Sequence, residues 1–182
     1  MGPTLEIYSL EQRTAIVAII LIGFMGAGKT TLARTLAQQH RLTFIDTDEL
    51  LGRQFQTTTG NLFNQVGEEK FRRLEFETLR QTLSTDVPIV ATGGGIIESS
   101  ESRRLLQQAA TVFWLNVDYS TCYRRIAADT TRPLVTQSTS DALYQRFCQR
   151  ESIYRQVATH EITATKKSPR QLAEEIWQLK TS

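Results

Sequence analysis

Residues 23–30 of this chain have the sequence GFMGAGKT, from which its fold can be predicted. It matches the pattern G-x-x-x-x-G-K-[ST], in which glycines let backbone N–H groups turn toward phosphate oxygens. The apolar run at residues 16–22 predicts a strand buried on both faces of a parallel sheet, and residues 30–40 predict a helix. A strand before the loop and a helix after it are the context that this motif requires. The segment therefore predicts a phosphate-binding loop that holds ATP.

The residue types in this loop predict individual roles. Lys29 is expected to reach the β- and γ-phosphates, and the Thr30 hydroxyl is expected to bind Mg²⁺. The positive end of the following helix adds a favourable potential for anions. The predicted nucleotide contacts of this segment are Gly26, Ala27, Gly28, Lys29, Thr30 and Thr31.

Further β-rich runs alternate with helical patterns along the chain. The predicted strands cover residues 42–45, 88–92, 111–115 and 161–165; the predicted helices cover 48–83, 99–110, 120–128, 141–158 and the segment that Ser168 and Pro169 open. Three glycines, Gly52, Gly60 and Gly67, are expected to break the longest helical region. The alternation favours an α/β fold with a doubly wound, five-stranded parallel sheet flanked by helices. We interpret residues 1–182 as one domain with an N-terminal extension at residues 1–15.

The totals of the chain argue against several classes of protein. The 182 residues carry a net charge of +2 and no basic run, which does not support nucleic-acid binding. The longest apolar stretch, residues 15–24, is too short to span a bilayer. The two cysteines, Cys122 and Cys148, lack metal-ligand spacing and indicate a reducing compartment. We expect a cytoplasmic monomer whose ligands are small molecules, with neither nucleic acid nor membrane as a partner.

Two carboxylates, Asp46 and Asp48, stand at the end of the second predicted strand, where ligands of open α/β sheets bind. Period-2 spacing on an extended chain would point both side chains the same way. One can serve the metal through water, and the other can accept a proton or hydrogen bond from an attacking hydroxyl. The alternative is that Asp48 only caps the helix that follows.

Five motifs in the same order resemble the shikimate kinase family, over residues 16 to about 179. They are the phosphate loop, residues 46–48, residues 67–75 (GEEKFRRLE), residues 92–95 (TGGG), and residues 132–134 (RPL) followed by Arg150, Tyr154 and Ala158. The resemblance implies a P-loop fold of the nucleoside-monophosphate-kinase type. It also implies that ATP phosphorylates the 3-hydroxyl of shikimate, giving 3-phosphoshikimate and ADP for aromatic amino acid biosynthesis.

The resemblance carries roles onto individual residues on the acceptor side. It implies that Asp48 contacts the acceptor hydroxyls and is the base. It also implies that Lys29 and Arg132 assist catalysis. Asp46 and Thr30 are the residues that it implies near Mg²⁺. Glu75 lies one helical turn after Arg72, where it is placed to orient that guanidinium. The implied acceptor contacts are Asp48, Arg72, Glu75, Gly93, Gly94, Gly95 and Arg150, with residues 46–83 as an acceptor-binding helical region.

The resemblance also implies roles on the nucleotide side. Arg125 matches an adenine-stacking position, and Lys167 and Pro169 match a C-terminal adenine loop. Arg132 belongs to an implied lid at about residues 126–141 and reaches the transferring phosphates.

Plainer interpretations stand beside three of these assignments. Arg72 is an ordinary surface residue if it only pairs with Glu68 or Glu75. Arg150 is unremarkable if it lies on a charged helix face, and residues 93–95 are unremarkable if they form only a tight exit from a strand.

The chain departs from the family pattern after Asp48. It has Leu51 and Gly52 where an apolar residue and an acid are common, and residues 55–59 also differ. We therefore expect a looser or differently packed acceptor region. Two other functions stay open: a related kinase for gluconate or a nucleotide, and a non-catalytic protein that binds nucleotide or metabolite.

Overall fold

The computed structural model of the chain describes residues 18–109, 111–127 and 140–181. Three predictions fall outside the described residues: the N-terminal extension at 1–15, most of the lid at 126–141, and the role of Arg132 within it.

Five parallel strands form one sheet at the centre of the fold. They are β1 Ile19–Ile22, β2 Ile45–Asp46, β3 Ile89–Ala91, β4 Val112–Asn116 and β5 His160–Thr163. Their order across the sheet is β2-β3-β1-β4-β5, so the strand that leads into the phosphate loop is the middle one. The predicted five-stranded parallel sheet is confirmed.

The strand register brings the predicted site residues to one edge. Ile20 of β1 pairs with Val90 of β3 and with Val112 of β4, and all four side chains of β1 are buried. A strand buried on both faces has no polar alternation, which explains its continuous apolar sequence. Because all strands run the same way, the phosphate loop, Asp46 and residues 93–95 leave the sheet at the same edge.

Eight helices of the described residues surround the sheet. They are α1 Lys29–His40, α2 Thr47–Phe55, α3 Thr59–Val66, α4 Glu68–Leu83, α5 Ser100–Gln108, α6 Tyr119–Ala127, α7 Ser140–Val157 and α8 Pro169–Thr181, with a 3-10 turn at Ile96–Glu98 before α5. The helix α1 packs against α8, whereas α5 packs against α4 and α7. In the described part of the chain, no helix is both long enough and apolar enough to cross a membrane.

The last helix begins as predicted. Pro169 is its first residue, and the Ser168 hydroxyl accepts a hydrogen bond from the Gln171 N–H at 3.3 Å. Serine satisfies a backbone donor that the helix cannot, and proline removes another, so both residues favour a helix start.

The second strand begins later than predicted, at Ile45 rather than Leu42. Arg41 ends α1 in the left-handed conformation with φ of 54°, and the Leu42 N–H donates to the Ala37 carbonyl oxygen at 2.9 Å. Leu42 is thus still bonded to the helix, and pairing with β3 starts only where Ile45 meets Val90.

The helical region at residues 48–83 breaks at different points from those predicted. Of the three glycines, only Gly67 separates two helices, while Gly52 lies within α2 and Gly60 within α3. Gly52 has a steric reason to be glycine, because an added Cβ would lie 2.9 Å from the Thr57 carbonyl oxygen. This close approach lets the chain turn sharply at the end of α2.

The helices α2, α3 and α4 have a small apolar core of their own. Leu51, Leu62 and Phe71 are buried together, apart from the main core that covers the sheet. Burial of a large apolar side chain contributes about 1.5–3 kcal/mol, so this cluster stabilises the three helices as a unit. We propose this unit as the acceptor-binding region.

Candidate active site

The phosphate loop closes around its own lysine. Gly26 and Gly28 take φ values of 78° and 96°, in the left-handed region that glycine tolerates best. A Cβ at Gly26 would also lie 2.6 Å from the Cys122 carbonyl oxygen, so α6 packs directly on the loop. Lys29 is buried, and its Nζ donates to the carbonyl oxygens of Gly23 at 2.8 Å and Phe24 at 3.0 Å. Its positive charge is therefore held at the mouth of the loop.

Asp46 joins the loop to the end of β2. The Thr30 hydroxyl donates to Asp46 Oδ2 at 2.6 Å, while Asp46 Oδ1 accepts from the N–H groups of Asp48 at 2.9 Å and Glu49 at 3.2 Å. Asp46 is thus the N-cap of α2, and the alternative that Asp48 caps this helix is wrong. The chain is also helical from Thr47, so the expected extended spacing of the two aspartates is wrong.

Asp46 and Asp48 nevertheless face the same space as the lysine. A cavity of about 420 Å³ lies over the carboxyl ends of β1, β2 and β3. Its lining combines loop residues with both carboxylates and the glycine turn: Gly26, Gly28, Lys29, Thr30, Thr31, Asp46, Asp48, Glu49, Thr92, Gly94, Arg125 and Ile126. A phosphate held by the loop would therefore lie in the same cavity as Asp48.

The glycine turn at residues 93–95 is a point of close contact on three sides. A Cβ at Gly93 would lie 2.5 Å from Asp48 Oδ1 and 2.9 Å from Glu75 Oε1. A Cβ at Gly94 would lie 2.8 Å from the Met25 backbone nitrogen, and one at Gly95 would collide with the Arg72 guanidinium. The turn is more than a tight strand exit, because it lets two acids, an arginine and the phosphate loop converge.

Arg72 reaches this turn from α4. Its Nη1 lies 2.6 Å from Glu75 Oε2, as the sequence predicted, and its Nη2 lies 3.3 Å from Glu68 Oε1. Only 14% of the side chain is exposed, so the alternative of an ordinary surface arginine is wrong. The guanidinium also lies 5.8 Å and 5.6 Å from the ring centroids of Phe63 and Phe71, a cation–π arrangement. The Arg72 Nε is buried and has no hydrogen-bond partner among the described residues.

Arg150 reaches the same turn from α7. It is buried, which excludes the alternative of an exposed charged face. Its Nη1 donates to the Gly94 carbonyl oxygen at 3.2 Å and its Nε donates to Glu98 Oε1 at 2.6 Å. The Tyr154 hydroxyl donates to the same carbonyl oxygen at 2.5 Å. Two side chains of α7 therefore fix the position of Gly94.

Glu75 has an unusual environment for a carboxyl group. Burial raises its pKa to about 7, the charge of Arg72 opposes this shift, and the charge of Asp48 adds to it. A carboxyl group whose pKa is close to 7 can gain or lose a proton near physiological pH. Glu75 therefore lies between the charges of Arg72 and Asp48, which shift its pKa in opposite directions.

The residues predicted to hold adenine lie around a second cavity. It measures about 250 Å³ and is lined by Arg125, Lys167 and Pro169 together with Ala27, Gly28 and Thr31 of the phosphate loop. Arg125 crosses the loop, where its Nη1 donates to the Gly26 carbonyl oxygen at 3.0 Å. Lys167 pairs with Glu175 at 2.6 Å. The two cavities share Gly28, Thr31 and Arg125, so they adjoin each other at the phosphate loop.

The oxygen atoms near the loop fit a magnesium ion. The Thr30 hydroxyl and the Asp46 carboxylate are 2.6 Å apart, and both are oxygen donors of the type that Mg²⁺ prefers. Among the described residues, no group of three or more His, Cys, Asp or Glu side chains forms a metal cage. Mg²⁺ in nucleotide sites usually takes one or two protein ligands and completes its shell with phosphate and water, so this donor set suffices.

Sequence reasoning missed several contacts of the site. Glu98 pairs with Arg150 across 52 positions, and no motif includes it. The guanidinium groups of Arg72 and Arg150 lie over aromatic rings that the sequence does not single out. These rings belong to Phe63 and Phe71 for Arg72 and to Phe24 for Arg150. Arg132 lies outside the described residues.

The chain is similar to known proteins over most of its length. The family model described as shikimate kinase matches residues 25–180. A shikimate kinase of Streptococcus gordonii is 40% identical over 157 residues, covering 85% of this chain and 95% of the relative. A structure of the shikimate kinase from Acinetobacter baumannii in complex with shikimate matches with a TM-score of 0.85 and 33% identity, covering 91% of this chain and 93% of the other.

A more distant likeness extends to the fold alone. A gluconokinase structure from Sinorhizobium meliloti matches with a TM-score of 0.55 and 14% identity, covering 88% of this chain and 90% of the other. The extent of the family match and the identity to its members are decisive: this chain belongs to the shikimate kinase family.

Proposed function

We propose that this protein transfers the γ-phosphoryl group of ATP to the 3-hydroxyl of shikimate, giving 3-phosphoshikimate and ADP. The observation that carries the proposal is the convergence on the glycine turn. Asp48, Arg72 and Arg150 approach residues 93–95 from three sides, and Gly94 lines the cavity that also contains Lys29. Membership of the shikimate kinase family supports the same activity.

The acceptor carboxylate is bound by Arg72 and Arg150 in this proposal. A guanidinium presents parallel N–H groups that match both oxygens of a carboxylate. The two side chains are largely buried, so an ion pair with the acceptor is less screened by water than a surface pair. The rings of Phe63 and Phe71 lie beside Arg72 and help to hold its guanidinium in place.

Asp48 accepts the proton that the acceptor hydroxyl loses. The hydroxyl oxygen forms a bond to the γ-phosphorus as the bond to the β,γ-bridging oxygen breaks, and the hydroxyl proton passes to the Asp48 carboxylate. Asp48 lines the cavity with Lys29, on the side next to Gly93. This position supports its role as the base.

Lys29 neutralises charge on the transferring phosphoryl group, and Arg132 is proposed to add a second positive charge. The Lys29 Nζ is buried beside the carbonyl oxygens of Gly23 and Phe24, at the place where the β- and γ-phosphates would lie. Thr30 and Asp46 would hold Mg²⁺, which when bound would supply divalent positive charge to offset the negative charge of the phosphates. Positioning and charge neutralisation are the main requirements of phosphoryl transfer.

Arg125, Lys167 and Pro169 hold the adenine end of ATP in the proposal. Their cavity adjoins the phosphate loop through Ala27, Gly28 and Thr31, which fits a nucleotide whose phosphates enter the loop. The flat Arg125 guanidinium can stack on the adenine ring.

We also propose that the enzyme acts as a monomer in the cytoplasm. Cys122 and Cys148 are both free, which suits a reducing compartment. Size-exclusion chromatography with light scattering would test the monomer, and a larger mass would contradict it.

A coupled ADP-release assay with a panel of acceptors tests the proposed activity. Shikimate, gluconate and nucleoside monophosphates should be compared at equal concentration with MgATP, and the Lys29→Met variant serves as the inactive control. We expect ADP to be released when shikimate is the acceptor and not with the other acceptors. Release with gluconate or a nucleotide instead would favour a related kinase, and ATP binding without turnover of any acceptor would favour a non-catalytic protein.

A further inference from the structure

Glu98 pairs with one of the two arginines that are proposed to hold the acceptor carboxylate and lies near the other. Its Oε1 accepts a hydrogen bond from the buried Nε of Arg150 at 2.6 Å. It also lines an open groove together with Arg72 and is close enough for its charge to act on that guanidinium. The protein thus carries a carboxylate of its own at the two arginines that are proposed to hold the acceptor.

The two partners of this ion pair differ sharply in exposure. The Arg150 side chain is 3% exposed and that of Glu98 is 34% exposed. A buried guanidinium needs a negative partner, because an uncompensated buried charge is strongly destabilising. Arg150 is also held by the Gly94 carbonyl oxygen and lies over the Phe24 ring, so it cannot easily move. Glu98 is the partner that can turn toward water.

Glu98 and the Gly94 carbonyl oxygen already accept from two of the five N–H donors of Arg150, so a second carboxylate at this guanidinium would lie next to Glu98. A carboxylate binds bidentately along one edge of the guanidinium, with two parallel N–H groups. Glu98 occupies Nε and the Gly94 carbonyl oxygen occupies Nη1. An incoming carboxylate must either displace Glu98 or bind beside it, where two like charges repel each other. Either outcome weakens acceptor binding.

We propose that Glu98 competes with the acceptor carboxylate for Arg150 and Arg72, and thereby sets the affinity of the enzyme for its acceptor. The inference rests on the proposed function, since it needs the two arginines to bind an acceptor carboxylate. Glu98 does not line the cavity that contains Lys29 and Asp48. It therefore acts on acceptor binding as a specificity-determining residue and leaves the phosphoryl-transfer step unchanged.

The Glu98→Gln variant tests this inference, because glutamine keeps an oxygen that can accept from the Arg150 Nε but removes the charge. Calorimetric titration should find a dissociation constant for shikimate about three- to tenfold lower than in the wild type, and KM should fall with kcat unchanged. Affinity for shikimate methyl ester, which lacks the negative charge, should not change. The Glu98→Ala variant should shift shikimate affinity in the same direction.

Glu101→Gln is the matched control. Glu101 lines the same groove and carries the same charge, but it bonds to the hydroxyls of Ser99 and Ser100 at 2.8 Å and 3.0 Å. This variant should bind shikimate as the wild type does.

An unchanged or weakened affinity of Glu98→Gln for shikimate would overturn the inference; weakening would mean that Glu98 positions Arg150 for the acceptor. An equal gain for shikimate and its methyl ester would also overturn it, since charge competition would not be the cause. Failure of the wild type to phosphorylate shikimate would instead reject the proposed function, so the two failures are distinguishable.

Discussion

Arg72 and Glu75 form a largely buried ion pair one turn apart on α4, with 2.6 Å between Nη1 and Oε2. The pair turns the guanidinium toward Gly95, where no side chain larger than hydrogen fits, and toward the rings of Phe63 and Phe71. Its position links the stability of the α2–α4 region to the proposed binding of the acceptor. Two of the following predictions test this link.

Replacing Glu75 by glutamine should remove a pH dependence of stability. Burial raises the pKa of Glu75 from 4.5 to about 7, so the folded state binds more protons than the unfolded state between these values. The contribution of this group is therefore fully present below pH 4.5 and is lost as pH rises toward 7. Urea denaturation measures the free energy of unfolding of the wild type and of Glu75→Gln at each pH. The wild-type value minus the variant value should fall by about 1–3 kcal/mol between pH 4.5 and about 7. Parallel curves for the two proteins would contradict the prediction.

Replacing Gly95 by alanine should weaken acceptor binding while the fold persists. The added methyl group would collide with the end of the Arg72 side chain, which can move, and not with backbone. We expect KM for shikimate to rise about tenfold, with a loss of about 1–3 kcal/mol in the free energy of unfolding.

The Gly95→Ala effect should also be shared with Arg72. If the methyl group acts by displacing the guanidinium, the effects of Arg72→Ala and Gly95→Ala on KM should not be independent. The KM of the double variant should rise by less than the product of the two separate increases. A KM of the double variant that rises by the full product would mean that Gly95 does not act through Arg72.

Asp48→Asn should abolish turnover without loss of ATP affinity. The amide cannot take the proton of the attacking hydroxyl, and general base catalysis is worth about 10²–10⁴-fold in rate. The cavity wall keeps its shape, because asparagine has the same size as aspartate. Steady-state kinetics measures kcat, and calorimetry with ATP serves as the control. Wild-type turnover in this variant would reject Asp48 as the base.

Arg150→Lys should raise KM for the acceptor by about tenfold or more and change kcat less. Lysine keeps the charge but cannot donate to a carboxylate in a bidentate fork. The matched control is Arg155→Lys on the same helix, where the guanidinium is exposed and pairs with Glu151 and Glu161. Equal KM values for the two variants would mean that Arg150 does not hold the acceptor.

The parts of this structure that sequence predicts well depend on local chemistry. The apolar run before the loop, the glycines within it, and the Ser168–Pro169 helix start are each specified by neighbouring residues. The sheet follows because short β-rich runs alternate with helical ones. The ion pair of Arg72 and Glu75 was also predictable, because residues three apart on a helix face the same way.

The parts that sequence missed depend on contacts between distant segments. The pairing of Glu98 with Arg150 joins a 3-10 turn to α7, and no periodicity relates residues 52 positions apart. Asp46 is the N-cap of α2, whereas the alternative interpretation of the sequence gives this role to Asp48. The exact residue where a strand ends and a helix begins is not encoded in a simple pattern. The sequence predicts a helix break at Gly52, whereas this residue lies within α2 and its small size lets Thr57 approach the helix.

A crystal structure of the protein with shikimate and a non-hydrolysable ATP analogue would test the arrangement most directly. The shikimate carboxylate should lie between the guanidinium groups of Arg72 and Arg150. The 3-hydroxyl should lie within about 3.2 Å of an Asp48 oxygen and in line with the γ-phosphorus. A carboxylate bound away from both arginines, or a 3-hydroxyl that points away from the phosphate loop, would contradict it.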